Sequence, residues 1–226
     1  MRGVFVTGTD TEVGKSVVAA AICAAATAQG IRVAAYKPVV TGLDEPTGDW
    51  PRDHELLAAA ASAGQSPDDV SPYTFGPAVS PHLAAQLAGT EIDPERLLAA
   101  AHEQAARADA LVCEGVGGLL VPLARDYLVR DLIGELSLPV VVAARPGLGT
   151  ISHSLLTVEA LRAVALHIQA VVLTPWPDDP TPMQLSNRET IERFGEVPVI
   201  GLPLTDPAHL AEAGAAALPV SDWLAP

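Results

Sequence analysis

The chain has 226 residues, 49% of them hydrophobic and 18% charged, with a formal net charge of −14. That composition predicts one compact domain, residues 1–226, large enough for a three-layer core. The acidic balance excludes a general nucleic-acid surface, so an anionic ligand must be held by a local positive site. Val4, Phe5 and Val6 make too short an apolar run for a signal peptide. The longest apolar stretch, residues 17–26, is about half of the ~20 residues a bilayer requires. A cytoplasmic protein with no membrane partner is therefore expected.

In chain order, the first candidate strand, 3–7, runs into a glycine loop, and residues 16–29 read as a helix stopped by Gly30. Strand 32–36 is followed by a Pro- and Asp-rich loop, 38–52, and a helix over 53–63. Ser80-Pro81 and Asp93-Pro94 each pair a capping side chain with proline at the first helical position. Strands are then predicted at 110–114, 140–144, 170–173 and 199–202. Residues 174–186 read as a second long loop, and 186–194 as a helix in which Ser186 and Glu189 fit a capping box. After residue 202 there is room for one helix and a tail. The strands are β-branched and almost continuously apolar, as in a parallel sheet covered on both faces. Their alternation with helices predicts an α/β fold, a three-layer doubly wound mostly parallel sheet with ligands at the carboxyl ends of its strands. Cys23 and Cys113 fall in a predicted helix and strand, where packing is the expected role.

Of 13 basic residues only Lys15 and Lys37 are lysines. A compact ammonium can sit against a phosphate in transfer, whereas a guanidinium favours flat bidentate contacts, so both lysines are candidates for chemistry. Lys15 belongs to GTDTEVGKS, residues 8–16, between a strand and a helix. This is a phosphate-binding loop of P-loop NTPase type, although Gly8 and Gly14 enclose five residues where the usual pattern has four. Its amides and the helix N-terminus suit phosphates, Lys15 the β/γ-phosphates, and the Ser16 hydroxyl Mg²⁺. Asp10 and Glu12 are unexpected in a polyanion cradle. Either they orient a cationic group, such as a substrate amine or Lys37, or they point to solvent or stiffen the loop through its own amides.

Lys37 ends the second strand and faces the same sheet edge, with Thr41 in the loop that follows. Glu114 ends a core-like strand and runs into Gly115-Val116-Gly117, a pattern suited to Mg²⁺ beside a phosphate. Asp53 can be an N-cap or a metal carboxylate, and Asp49 is its rival. Residues 145–154, RPGLGTISHS, place a second glycine loop before a helix, a site suited to a carboxylate. His54, His102, His167 and His209 show no ligand spacing, and no protease or zinc pattern is present.

These segments, with YKPVVTG at 36–42, SPH at 80–82, EGVGGLLVPL at 114–123 and GLGTISHSLLT at 147–157, occur in an order that resembles the dethiobiotin synthetases. The resemblance covers nearly the whole chain. It implies a cyclo-ligase of biotin biosynthesis that joins 7,8-diaminopelargonate and CO₂ (or bicarbonate) at the expense of ATP, through a carbamate and its mixed anhydride with phosphate. By the same resemblance Glu12, Val13, Gly14, Lys15, Ser16 and Val17 contact ATP, as do Gly115, Val116 and Gly117. Thr174, Pro175, Pro203, Leu204 and Thr205 would surround the base, and Ser16, Asp53 and Glu114 would hold Mg²⁺. Lys37, Lys15 and Thr11 would act in catalysis, with Thr11, Lys37 and Thr41 on the diamine. The substrate carboxylate would reach Gly149, Thr150, Ile151, Ser152 and His153 of a second subunit, which implies a homodimer.

Two positions depart from the family pattern: Ser16 replaces the usual threonine, and Thr174 stands where an asparagine often reads adenine. The second leaves nucleotide selectivity open. Three rivals share the P-loop. A ParA-like switch ATPase carries a signature lysine five residues before the loop lysine, where this chain has Asp10. A cobyrinate-type amide synthetase usually adds a glutaminase domain. A plain small-molecule kinase would leave no contrasting signature.

Overall fold

The computed structural model describes residues 1–225. Its first half runs β1 (Gly3–Gly8), α1 (Lys15–Ala28), β2 (Val33–Tyr36), α2 (Asp53–Ala60), α3 (Pro67–Val70), α4 (Pro81–Leu87), α5 (Pro94–Ala105) and β3 (Ala110–Glu114). A short hairpin follows, β4 (Pro122–Ala124) and β5 (Tyr127–Leu128), then α6 (Val129–Leu136), β6 (Val140–Ala144) and α7 (Thr150–Arg162). The chain continues through β7 (Ile168–Trp176), α8 (Pro182–Gly195), β8 (Val199–Pro203), α9 (Leu210–Ala217) and α10 (Val220–Trp223).

Six strands form one sheet in the order β2-β3-β1-β6-β7-β8, and each neighbouring pair is parallel. Successive side chains of a strand point to opposite faces, so the sheet separates two cores. Phe5, Tyr36 and Val142 pack on one face with Leu132 and Leu161 from α6 and α7. Val4, Val6 and Val141 pack on the other with α1, α2 and α9. The alanine-rich α1 lets α9 approach closely: a Cβ on Gly214 would lie 2.4 Å from the Ala21 carbonyl oxygen. Among the described residues no helix is long and apolar enough to cross a membrane.

The α/β three-layer doubly wound sheet matches the expectation, and four local readings need correction. β7 extends from Ile168 through Trp176, so the expected loop at 174–186 shrinks to the connection before α8. α8 begins at Pro182, capped by Thr181, whose hydroxyl accepts from the Gln184 amide at 3.3 Å; Ser186 and Glu189 are interior. Proline at the first helical position favours the earlier of two competing capping boxes. α2 stops at Ala60 with Arg52 as its N-cap residue, so Asp53 is the first helical residue rather than the cap. After β8 there are two helices, α9 and the one-turn α10, where one was expected.

A parallel sheet brings all its carboxyl ends to one edge. Gly8 ends β1, Lys37 follows β2, Glu114 ends β3, Arg145 follows β6 and Pro203 ends β8, so these residues share that edge although they are far apart in sequence.

Candidate active site

The loop between β1 and α1 is tied down at several points. The Thr9 amide donates to the Ala143 carbonyl at 3.0 Å, and Lys15 Nζ donates to the Asp10 carbonyl at 2.7 Å. Asp10 Oδ1 accepts from the Thr11 amide at 2.7 Å, so this carboxylate stiffens its own loop. Neither Asp10 nor Glu12 pairs with Lys37. At the helix start Gly14 has φ 90°, a left-handed conformation that glycine adopts without a Cβ clash. A Cβ there would also meet the Thr174 methyl carbon at 2.5 Å.

Behind the loop four side chains converge. Lys37 Nζ lies 2.6 Å from Asp53 Oδ2 and 2.5 Å from Glu114 Oε1. Ser16 Oγ lies 2.7 Å from Asp53 Oδ1 and 2.8 Å from Glu114 Oε1. Burial alone would lower the Lys37 ammonium, but Asp53 and Glu114 outweigh it and push the pKa up to about 12. Burial raises Glu114 above the ordinary carboxylate value, opposed by Lys37. For Asp53 burial acts upward too, yet Lys37 and Ser16 prevail and the pKa falls. Lys15 is lowered to about 8 by burial, with Glu114 pulling the other way. The result is an ammonium whose charge is poorly solvated, ready for an anion that replaces the lost water.

The donor set suits a small hard cation. A serine hydroxyl has one proton, so it cannot donate to both carboxylate oxygens beside it, and Glu114 Oε2 is buried with no hydrogen-bond partner among the described residues. Ser16, Asp53 and Glu114 therefore bring hydroxyl and carboxylate oxygens together, a donor set that fits Mg²⁺. No cluster of three or more His, Cys, Asp or Glu occurs among the described residues. Asp49 lies exposed in the 38–52 loop, whereas Asp53 is the aspartate hydrogen-bonded to Ser16 and Lys37.

A cavity of about 570 Å³ opens onto these groups and is lined by Thr11, Glu12, Gly14, Lys15, Ser16 and Val17 from the loop and α1. Lys37, Thr41, Asp53, Glu114, Val116 and Gly117 complete it, with Trp50, Pro51 and Leu56. Gly115 does not line it; a Cβ there would meet Phe5 and Val129 at 3.1 and 3.2 Å. An adjoining hollow of about 210 Å³ contains Val13, Thr174, Pro175, Pro203, Leu204 and Thr205, the positions expected around a base. Thr174 is buried, and no asparagine lines this hollow.

Residues 149–153 do not join the Lys37 cavity within one chain. Gly149 (φ 92°) opens α7, Thr150 is buried against Ser154, and His153 lines a third cavity of about 440 Å³ on the other side of the loop, with Asp10, Thr11 and Leu120. A cavity of about 710 Å³ beside α4 and the β4–β5 hairpin is larger, but its His82, Glu91 and Arg125 are exposed and unpaired with the site.

A family model described as an AAA domain matches residues 2–205. Among curated relatives, an ATP-dependent dethiobiotin synthetase of Anaeromyxobacter dehalogenans is 43% identical over 204 residues, 90% of each chain. That of Bacillus subtilis is 36% identical over 202 residues, 89% of this chain and 87% of its own. The chain belongs to the dethiobiotin synthetase family. Solved structures carry the fold more widely: a ParA family ATPase of Chlorobium tepidum superposes with TM-score 0.55 at 16% identity, covering 98% of this chain and 92% of its own. The septum site-determining protein MinD of Pyrococcus horikoshii gives 0.53 at 17%, covering 98% and 88%. At such identities the likeness concerns the P-loop sheet alone.

Two residues of this dethiobiotin synthetase family member, Trp50 and Arg52, and one contact, of Arg145 with Glu12, were not expected from the sequence. Trp50 lines both the 570 and the 210 Å³ cavities. In a chain with only 4% aromatic residues, a tryptophan in a polar loop was a usable signal. Arg52 donates to the carbonyls of Gly42, Leu43 and Glu45, at 3.2, 2.7 and 3.3 Å, and so folds the Thr41 loop onto α2. Arg145 holds the Glu12 carbonyl, a contact across 133 residues that no local pattern announces.

Proposed function

We propose that this chain is an ATP- and Mg²⁺-dependent cyclo-ligase that makes dethiobiotin from 7,8-diaminopelargonate and CO₂ in biotin synthesis. The observation that supports this reading most directly is the convergence of Lys15, Ser16, Lys37, Asp53 and Glu114 on one cavity, in a member of this family.

The 7-amine would attack CO₂, lose a proton and become a carbamate. A carbamate oxygen would attack the γ-phosphorus of ATP, releasing ADP and leaving a carbamic–phosphoric anhydride. The 8-amine would attack its carbonyl carbon, and phosphate would leave as the ring closes. Ser16, Asp53 and Glu114 would hold the Mg²⁺, which supplies charge neutralisation between the phosphates. Lys37 and Lys15 are compact cations placed to offset charge on the carbamate and on the transferring phosphoryl group. Thr11 and Thr41, at the cavity wall, offer hydroxyls to the diamine. The base would lie among Val13, Thr174, Pro175, Pro203, Leu204 and Thr205.

The substrate carboxylate would be taken by residues 149–153 of a second copy, and this also belongs to the proposal. Leu156 and Leu120 are 62 and 55% exposed and line the cavity of His153, and Leu148, just before Gly149, is 92% exposed, apolar groups that a homodimer would cover. We place the enzyme in the cytoplasm as a single domain over residues 1–226.

The deciding experiment measures ATP cleavage with and without the diamine and bicarbonate, with product identified by mass. Cleavage that requires both and yields dethiobiotin is the expected result. Turnover indifferent to both would overturn the reading.

A further inference from the structure

Glu12 is the residue of the phosphate loop that sits least comfortably. Its φ of 55° is left-handed, a region that residues bearing a Cβ seldom occupy. It lies in the stretch where Gly8 and Gly14 enclose five residues rather than the usual four. Something must hold it there. Arg145 does: Nε and Nη2 donate to the Glu12 carbonyl oxygen at 3.1 and 2.8 Å. Its hydrogen-bond partner is the backbone, since the two side chains are 3.8 Å apart with 58 and 86% exposure, an ion pair of little weight. Arg145 also lines the 210 Å³ hollow, so the test below separates loop positioning from contact with the nucleotide.

The fold delivers this guanidinium to the loop. β1 and β6 pair in register, Gly8 beside Ala143, and the Thr9 amide continues the pairing onto the Ala143 carbonyl. Arg145 stands two residues beyond, just past the end of β6. Because a trans peptide is planar, fixing the Glu12 carbonyl also fixes the Val13 N–H in the opposite direction. The amides of this stretch and of the first turn of α1 are the groups that would meet phosphates.

We propose that Arg145 is a positioning residue of the phosphate-binding loop, pinning the Glu12 carbonyl and so aiming the Val13 amide, in compensation for the loop's extra residue. The inference rests on the reading of this loop as a nucleotide site.

The test uses the full chain with Mg²⁺ and a non-hydrolysable ATP analogue (the β,γ-imido compound), with calorimetric binding and steady-state rates. Arg145→Ala is expected to weaken analogue binding about tenfold. The KM for ATP should rise while kcat at saturating ATP stays within about twofold, and Arg145→Lys should recover part of the affinity. In a Glu12→Gly chain, where the left-handed conformation is free of Cβ strain, Arg145→Ala should cost less than it does beside Glu12. Equal losses in the two backgrounds would overturn the proposal and show that Arg145 touches the nucleotide itself. Unchanged binding in Arg145→Ala would also overturn it. Both results leave the function standing, whereas a parent chain that binds no analogue would bring down the nucleotide reading.

Discussion

Lys37 Nζ and Glu114 Oε1 lie 2.5 Å apart, with side-chain exposures of 4 and 0%. Asp53 completes the contact from the cavity side, where 42% of its side chain is open. An ammonium is thus held between two carboxylates, one sealed in the protein and one facing the ligand space. With Lys15 the cluster holds two positive and two negative groups, so the cations that would meet a polyanion are already compensated when the site is empty of one.

The first consequence concerns geometry. Lys37→Arg should keep nucleotide affinity within a few-fold but lose about a hundredfold or more in kcat, because the planar fork cannot occupy the ammonium's position between Asp53 and Glu114. Single-turnover rates beside analogue binding separate the two effects. Unchanged turnover would show that Lys37 is an ion-pair residue only.

Removing the charge tests the electrostatics. Lys37→Met leaves Glu114 buried without its partner and should cost roughly 3–5 kcal/mol of stability, read from urea unfolding. Lys37→Met combined with Glu114→Gln should recover much of that loss, since the uncompensated charge is gone. A simple sum of the single effects would contradict the coupling.

The metal assignment separates two aspartates. Asp53→Asn should raise the Mg²⁺ concentration needed for half-maximal activity by about tenfold or more. Asp49→Asn should leave the Mg²⁺ titration unchanged, because Asp49 lies exposed outside the Ser16–Glu114 convergence. The opposite pattern would return the role to Asp49.

Assembly is testable at Leu156, whose side chain projects from α7 beside His153. Leu156→Arg should shift the protein toward monomer in sedimentation and raise the KM for the diamine more than that for ATP. A dimer that persists with unaltered kinetics would place the interface elsewhere.

Several parts of this picture are local and were legible without coordinates. The strand–loop–helix context of GTDTEVGKS, the helix stop at Gly30 and the Asp93 cap, which accepts from the Glu95 amide at 2.9 Å, depend on neighbours a few residues away. Two- and three-residue strands such as β5 and β4 are too short to show a period, so the hairpin did not register. At α8 two capping boxes competed. The Thr181–Gln184 box, with Pro182 at the first helical position, starts the helix before Ser186, and Asn187 is an interior helical residue that donates to the Pro146 and Gly147 carbonyls at 3.2 Å.

By itself the sequence determined the parallel α/β architecture, the phosphate loop, the two chemically distinctive lysines and the candidate carboxylates. Each of these follows from hydrophobic period, capping chemistry or residue choice within a short window. Only the tertiary structure decided that Lys37 pairs with Asp53 and Glu114, 16 and 77 residues away, that Asp53 rather than Asp49 joins them, and that Arg145 reaches Glu12. The physical reason is the sheet: parallel pairing puts every strand's carboxyl end on one edge, and strand order and register, which no local window contains, determine which ends meet.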